Sequence, residues 1–217
     1  MTRTLYVVRH AEAAGEAGEG LTEAGRRQAE ALGERLAGVG FSTVFHGPLP
    51  RAAQTASIVV SRLSVGASGV GAGAGRAAAV GRAAAVVACD EAGDYLPFAP
   101  AVEGLPEGFA RLVGSYSAAE RAAGAALAAA AVRRFMTVSG EEDTADLVVT
   151  HNFTVAWLVR HALGAPPERW LGLNQGNAAL TVIRCHVDRP PVLVTFNDMS
   201  HLAANLRWTG FPAYLRV

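Results

Sequence analysis

Short runs of consecutive apolar residues constrain this fold more than any other feature of the sequence. Residues 5–8 and 147–150 are apolar almost without interruption. Strands of this kind are covered on both faces, as in a parallel sheet, whereas strands with one solvated face alternate apolar and polar side chains. Helical periodicity separates the runs. The sequence therefore predicts an α/β fold, a three-layer sandwich in which helices flank a mostly parallel central sheet.

The same patterns place the individual elements along the chain. One helix is predicted to begin after Thr22, which is a suitable N-cap. The predicted strands are 5–8, 43–46, 84–88, 147–150, 179–185 and 192–196, and the predicted helices are 22–36, 51–63, 118–135 and 153–163. We assign all of them to a single domain that spans residues 1–217.

Two stretches do not follow these patterns. Residues 64–83 are rich in Gly, Ala and Ser, so we expect a Gly/Ala-rich surface loop there, although its alanine-rich half also suits a helix. Residues 90–106 are rich in Gly and Pro, as is usual for a lid or an active-site loop. We expect substrate specificity to lie in the loops of residues 90–116, which contain no pattern that identifies the substrate.

The composition argues against several functional classes. The formal net charge is zero, so the sequence indicates no basic surface for nucleic acid. It contains no lysine, which excludes Schiff-base lysine chemistry and a P-loop lysine. Cys89 and Cys185 are far apart and are expected to be reduced thiols. The apolar run 122–132 is too short to cross a bilayer, and strand-like sequence begins too early for a signal peptide, so we predict a cytoplasmic protein without membrane or nucleic-acid partners.

Three of the predicted strands are followed by, or end on, histidine. Residues 5–8 lead into Arg9 and His10, residues 43–45 into His46, and residues 147–150 into His151. Parallel strands bring their carboxyl ends to one edge of the sheet, which is where ligands bind in α/β folds. We therefore expect the functional site at this edge.

The segments "RHAEA", "LTEAGRRQAEAL", "GPLPRAAQTA" and "VVTHN" occur in this order along the chain. Together with "LNQGNAALTVI" and "FNDMSHL", they resemble the phosphatase branch of the histidine phosphatase superfamily, which has the phosphoglycerate mutase-like fold. The resemblance covers nearly the whole chain. It implies that His10 accepts the phosphoryl group, that Arg9 and Arg51 bind it, and that His151 is the second histidine of the pocket.

The chemistry of these residues agrees with the resemblance. A neutral imidazole can attack phosphorus, and neighbouring cations both disfavour its protonation and attract a phosphate dianion. Arginine suits this role because its planar fork binds two phosphate oxygens and stays charged. We predict a metal-independent phosphomonoesterase, a histidine acid phosphatase-type hydrolase without a cofactor, that forms a phosphohistidine on His10. Its substrate would be a small phosphate ester or another phosphorylated molecule.

The leaving oxygen needs a general acid, for which Glu91 and Asp94 are the candidates, with Asp90 behind them. Asp94 is favoured because "GDYLP" resembles a subgroup of the family in which an Asp of this loop is the acid. His46 lies near a serine position of the family and either contacts phosphate or caps its strand. Asn152 replaces the glycine of the common "THG" and either narrows the pocket or offers its amide to phosphate.

Three alternatives remain open at this point. The atypical "HGPLPR" is compatible with a catalytically weak phosphate-binding or regulatory module of the same fold. A phosphoglycerate mutase-type phosphotransferase is disfavoured because the extension that mutases carry after "RHGE" is replaced by "AAGEAGEG". A metal hydrolase with His10, His46 and His151 as ligands is weaker still, because no metal-binding spacing accompanies them and the adjacent arginines would repel a cation.

Overall fold

A computed structural model describes residues 1–15, 20–66 and 84–216. Its strands are β1 Thr2–Arg9, β2 Thr43–His46, β3 Ala85–Ala88, β4 Thr144–Thr150, β5 Leu180–His186 and β6 Val192–Asp198. Its α-helices are α1 Glu23–Leu36, α2 Pro50–Gly66, α3 Glu107–Gly114, α4 Ala118–Met136 and α5 Asn152–Ala162. Short 3₁₀-helices occur at Asp90–Ala92, Pro167–Gly172, Ala204–Leu206 and Ala213–Leu215.

The strands form one six-stranded sheet in the order β3-β2-β4-β1-β5-β6. The first four are mutually parallel, β5 runs antiparallel to β1, and β6 runs antiparallel to β5. In the register of β1 and β4, Arg9 pairs with Thr150. The two central strands therefore end at the same level, which brings His10 and His151 together.

Helices cover both faces of this sheet, because the side chains of each strand point alternately to opposite faces. Leu5 and Val7 of β1 face the layer of α4 and α5, whereas Val8 faces the layer of α1 and α2. The α4/α5 side contains Leu5, Val7, Phe45, Ala131, Phe135, Met136, Val148, Val155, Leu158, Val159, Ile183 and Cys185. The α1/α2 side contains Val8, Leu32, Leu36, Phe41, Val44, Ala52, Ala56, Val59, Leu147, Val149, Leu180 and Val182. The three-layer α/β prediction is confirmed.

The predicted elements are present with small shifts at their ends. Thr22 caps α1 as predicted, since its hydroxyl oxygen accepts from the Gly25 amide at 2.9 Å. Helix α3 was not predicted, because Pro106 and the neighbouring glycines resemble a loop; its apolar residues Phe109 and Leu112 pack on the core between α4 and α5. No helix in the described ranges is long and apolar enough to cross a membrane.

The predicted Gly/Ala-rich loop can be compared with the structure only at its start. Helix α2 continues to Gly66, so the first three residues of the predicted loop are helical. Residues 67–83 lie outside the described residues, and the prediction for them stays a prediction. The chain is described again from residue 84, where β3 begins at Ala85 and lies beside β2, as expected.

One close contact fixes the segment that follows β3. Gly124 of α4 lies against the backbone of Leu96, so that a Cβ at residue 124 would overlap the Leu96 carbonyl oxygen. Only glycine permits this approach. The contact holds residues 94–97 on α4, beside the ends of the parallel strands.

Candidate active site

His10 lies directly after β1, and its ring is oriented by its own backbone. Its amide donates to the Thr150 carbonyl oxygen at 2.8 Å, and its Nδ1 lies 2.8 Å from the Ala11 carbonyl oxygen. Because a carbonyl oxygen can only accept, Nδ1 carries the proton and Nε2 keeps a lone pair. His10 is only 8% exposed. The ring therefore offers Nε2 as a nucleophile.

The surroundings of His10 keep it neutral. Burial lowers the pKa of His10 to about 3, and the neighbouring His151 and the guanidinium groups of the site act in the same direction. A hydrogen bond to Ala11 opposes the shift only in part. At neutral pH the imidazole is unprotonated, as attack on phosphorus requires.

His151 follows β4 and lies beside His10, with 5.0 Å between the ring centroids. It is 1% exposed, and burial lowers its pKa to about 3, with further contributions from Arg51 and Arg9. Neither ring nitrogen makes a hydrogen bond within the described part of the chain, and Nδ1 lies 3.5 Å from Oδ2 of Asp94. A buried imidazole without a hydrogen bond next to His10 suits a site that binds a polar group.

The two predicted phosphate-binding arginines have different partners. Nη1 of Arg9 donates to two neutral main-chain oxygens, those of Gln175 and Gly210, each at 2.7 Å. Burial lowers the pKa of Arg9 to about 10, which still leaves it charged at neutral pH. Arg51, at the start of α2, donates from Nη2 to Oδ2 of Asp94 at 2.8 Å. Arg9 thus has only neutral hydrogen-bond partners, although the nearby Asp94 carboxylate raises its pKa, whereas Arg51 is hydrogen-bonded directly to that carboxylate.

Two threonine hydroxyls bring Asp94 into this cluster. The Thr150 hydroxyl donates to the Ala92 carbonyl oxygen at 2.7 Å, and the Thr154 hydroxyl donates to that of Gly93 at 2.8 Å. Both threonines are fully buried. The end of β4 and the first turn of α5 therefore hold the segment just before Asp94, whose carboxylate contacts Arg51 and His151.

Glu91, the second candidate acid, has a different environment. Its carboxylate forms an ion pair with Arg134 of α4 at 3.2 Å, and its carbonyl oxygen accepts from the Tyr95 hydroxyl. The structure therefore brings Asp94, and not Glu91, into contact with the cations of the site. This difference favours Asp94, the preferred candidate, over Glu91, and the assignment of the acid stays a prediction.

Two further predicted phosphate ligands have contacts within the protein. Nδ1 of His46 donates to the Gly47 carbonyl oxygen at 2.8 Å, so the backbone orients this ring, and its contact with phosphate stays a prediction. Asn152 donates to Oδ1 of Asn174 at 3.1 Å and accepts from the Gln175 amide at 3.0 Å. The Asn152 amide therefore supports the loop that holds Arg9, and its contact with phosphate stays a prediction.

The described residues offer no set of ligands for the metal-hydrolase alternative. Within the ranges that the structure describes, no three His, Cys, Asp or Glu side chains are grouped so that they could hold a metal ion. His10 and His151 instead lie among arginines, whose charge repels a cation.

Several residues of the site were missed by the sequence analysis. Thr150 and Thr154 act through hydroxyls on carbonyl oxygens remote in sequence, and Gln175 and Gly210 act through their main chain. Every residue type carries the same main-chain carbonyl, so no sequence pattern identifies the residues that act through it. The positive φ of Gly210, 66°, is a signal that only the folded chain reveals.

The model of the histidine phosphatase superfamily (branch 1) matches residues 5–68 and 115–199, which is more than half of the chain. The chain belongs to this superfamily. The matched ranges include the four residues that the structure brings together at the site, which are Arg9, His10, Arg51 and His151. The resemblance of the sequence motifs and the phosphoglycerate mutase-like fold are both confirmed.

Known proteins similar to this histidine phosphatase superfamily member include phosphatases. The serine/threonine-protein phosphatase PGAM5, mitochondrial, of Mus musculus is 28% identical over 206 residues, which cover 91% of this chain. The chain spans only 63% of the mouse protein. Bacillus stearothermophilus YhfR has a TM-score of 0.63 at 22% identity, with 92% of this chain and 98% of that chain covered. The alpha-ribazole phosphatase from Shigella flexneri has a TM-score of 0.63 at 18% identity, with 90% and 96% covered.

Proposed function

We propose that this protein is a metal-independent phosphomonoesterase that works through a phosphohistidine on His10. The observation that carries the proposal is the state of His10: a buried, neutral imidazole whose Nδ1–H is held by Ala11 and whose Nε2 lone pair is available. Arg9, Arg51 and His151 surround it, as the stabilisation of a transferring phosphoryl group requires. Relatives that are phosphatases support the proposal at the level of the superfamily.

In the first step, Nε2 of His10 attacks phosphorus as the bond between phosphorus and the leaving oxygen breaks. The leaving oxygen takes a proton from the carboxyl group of Asp94, which becomes a carboxylate. The arginines stabilise the charge on the three equatorial oxygens, and His151 contributes a hydrogen bond to one of them. The products of this step are the free alcohol and a phosphohistidine.

In the second step, water attacks the phosphohistidine from the side that the alcohol has left. The Asp94 carboxylate takes a proton from this water as the bond between phosphorus and Nε2 breaks. His10 returns to its neutral state and inorganic phosphate is released. The acid of the first step thus becomes the base of the second, and Asp94 regains its proton.

The pairing of Asp94 with Arg51 places the proposed proton donor beside a proposed phosphate ligand. In the structure the two groups lie 2.8 Å apart. A phosphate dianion that binds Arg51 competes with Asp94 for this guanidinium. Binding of the substrate therefore releases the Asp94 side chain to approach the leaving oxygen.

The proposed substrate class is a phosphate monoester, either a small molecule or a larger phosphorylated substrate. The relatives support this range, since one is named as a serine/threonine-protein phosphatase and another as an alpha-ribazole phosphatase. The Asp94 side chain is 38% exposed, so the proposed proton donor lies on a side of the site that is open to solvent.

The deciding experiment measures hydrolysis of p-nitrophenyl phosphate in EDTA, combined with acid quenching to trap a phosphoenzyme. We expect turnover and an acid-labile, base-stable phosphoryl group, both lost in His10→Ala. His186→Ala is the matched control, because His186 ends β5 at the opposite edge of the sheet, where it pairs with Thr2. Full activity of His10→Ala would contradict the proposal. Phosphate binding without turnover of any ester would favour the regulatory module instead.

A further inference from the structure

The segment 206–211, here called the C-terminal strap, reaches the site from the far end of the chain. Its Gly210 carbonyl oxygen accepts from Nη1 of Arg9 at 2.7 Å, and the Gln175 carbonyl oxygen accepts from the same nitrogen at 2.7 Å. An Nη carries two hydrogens. Both hydrogens of Nη1 are thus used by the protein.

The opposite side of the guanidinium remains available. Nε of Arg9 is buried and makes no hydrogen bond within the described residues. Nε and Nη2 together form one of the two forks through which arginine binds a pair of phosphate oxygens. The two carbonyls therefore select which fork of Arg9 faces the phosphate.

The strap is itself held by a buried glutamine. Gln28 of α1 is fully buried, and its Nε2 donates to the Leu206 carbonyl oxygen at 2.8 Å and to the Thr209 hydroxyl at 2.7 Å. Its Oε1 accepts from the amide of Glu12 at 2.8 Å. One side chain thus connects the strap to the loop that follows His10.

The fit around Gly210 leaves no room for a side chain. Its φ is 66°, and a Cβ there would overlap Oδ1 of Asn177 and would lie 2.9 Å from Nη2 of Arg9. Asn177 in turn donates to the His10 carbonyl oxygen at 3.0 Å. The strap is therefore packed directly against Arg9, the last residue of β1, and against Asn177, which contacts His10.

We propose that the C-terminal strap is a positioning element for phosphate binding, in which Gln28 and Thr209 fix Gly210 so that its carbonyl presents the Nε/Nη2 fork of Arg9 to the phosphoryl group. This inference rests on the proposed function only in taking Arg9 as a phosphate ligand. Because neutral carbonyls and no carboxylate hold Arg9, the strap orients the guanidinium without reducing its charge.

The test compares Gly210→Ala with Gly164→Ala. Both glycines have a similar positive φ, 66° and 59°, so both variants carry similar backbone strain. A Cβ at residue 164 meets nothing within 4 Å, whereas one at residue 210 overlaps Asn177 and lies 2.9 Å from Nη2 of Arg9, so that both side chains must shift. Calorimetry with inorganic phosphate measures Kd, and p-nitrophenyl phosphate hydrolysis measures KM and kcat.

We expect Gly210→Ala to raise the Kd of phosphate and the KM about tenfold each, as the loss of a charge-assisted hydrogen bond implies, with a smaller change in kcat. Gly164→Ala is expected to leave both values unchanged. Thr209→Val, which lacks the hydroxyl that Gln28 holds, is expected to weaken phosphate binding, and Thr209→Ser is expected to restore it. A merely structural role would change neither Kd nor KM of the folded protein.

A double-mutant cycle with Arg9→Met completes the test. If the strap acts through Arg9, Gly210→Ala has no further effect on phosphate Kd once the guanidinium is gone. Equal phosphate affinity of wild type and Gly210→Ala, or additive effects in the cycle, would overturn the inference even if the wild type is an active phosphatase. Phosphate binding without turnover would overturn the proposed function alone, since the strap is tested on Kd.

Discussion

Asp94 illustrates how position distinguishes two chemically similar residues. Asp94 and Glu91 are three positions apart, yet Asp94 contacts Arg51 and His151, whereas Glu91 pairs with Arg134 on the outer side of α4. The hydroxyls of Thr150 and Thr154 make this difference, because they fix the backbone between the two carboxylates. The backbone therefore determines which of the two carboxylates lies in the site.

The role of Asp94 can be tested through the leaving group. Asp94→Asn removes the proton donor, so hydrolysis of alkyl phosphates, whose leaving oxygen needs protonation, is expected to fall about 100-fold in kcat/KM. The kcat/KM of p-nitrophenyl phosphate is expected to fall much less, because its leaving group departs as an anion and because kcat/KM does not include the second step, in which Asp94 acts as the base. Glu91→Gln is the matched control and is expected to change neither rate more than about twofold. Steady-state kinetics measure kcat/KM for both kinds of ester. If Glu91→Gln lost more activity on alkyl phosphates, relative to p-nitrophenyl phosphate, than Asp94→Asn did, the assignment of Asp94 would be contradicted.

At the scale of elements, the site depends on how closely α4 approaches residues 94–97. Gly124 allows this approach, and the carbonyl oxygen of Leu96 occupies the place where a Cβ would lie. Leu96 is only two residues after Asp94. The packing of one helix thus determines the place of a side chain on the neighbouring loop.

Gly124→Ala tests this coupling. Alanine favours the helix by roughly 1 kcal/mol, but the overlap with the Leu96 backbone is expected to outweigh this gain and to lower the free energy of unfolding by about 2 kcal/mol. The displaced loop is also expected to reduce kcat on alkyl phosphates. Gly108→Ala in α3 is the control, since a Cβ there meets nothing within 4 Å. Urea unfolding of both variants would contradict the idea if Gly124→Ala were as stable as the control.

The sequence was sufficient to predict the strands and the histidines at their ends, but it was insufficient to predict hydrogen bonds between distant residues. The apolar runs and the residues after them predicted β1, β4 and the meeting of His10 with His151, because strand burial and strand ends are local properties. By contrast, the hydrogen bond from Asn152 to Asn174 and the hydrogen bond from Arg9 to Gly210 join residues that are far apart in the chain. Side-chain type alone carries no information about such main-chain partners.

At the scale of the whole molecule, the neutral buried histidines link stability to pH. His10 and His151 have a pKa of about 3 in the folded chain, against an ordinary value of 6.5. Between these values the unfolded chain binds more protons than the folded one, so stability decreases as pH falls through this window. His161 and His201, whose pKa values burial also lowers, act in the same direction.

We therefore expect the free energy of unfolding to fall by about 2 kcal/mol per site histidine between pH 7.5 and 5. Urea unfolding at the two pH values measures the total loss. His151→Gln replaces one titrating ring by a group that does not titrate, so its loss over the same interval is expected to be smaller by about 2 kcal/mol. An equal loss in wild type and variant would show that His151 is not held neutral by the fold.

The hold of the C-terminal strap on Arg9 also has a consequence during protein synthesis. Gly210 lies 201 residues after Arg9 in the chain, although their atoms are hydrogen-bonded. A ribosome releases His10 and the amino-terminal strand long before it has made residue 210. An incomplete nascent chain therefore lacks the oxygen that orients its arginine. A translation product that stops before the strap carries His10 and His151 but lacks the Gly210 carbonyl that helps to hold Arg9 in place.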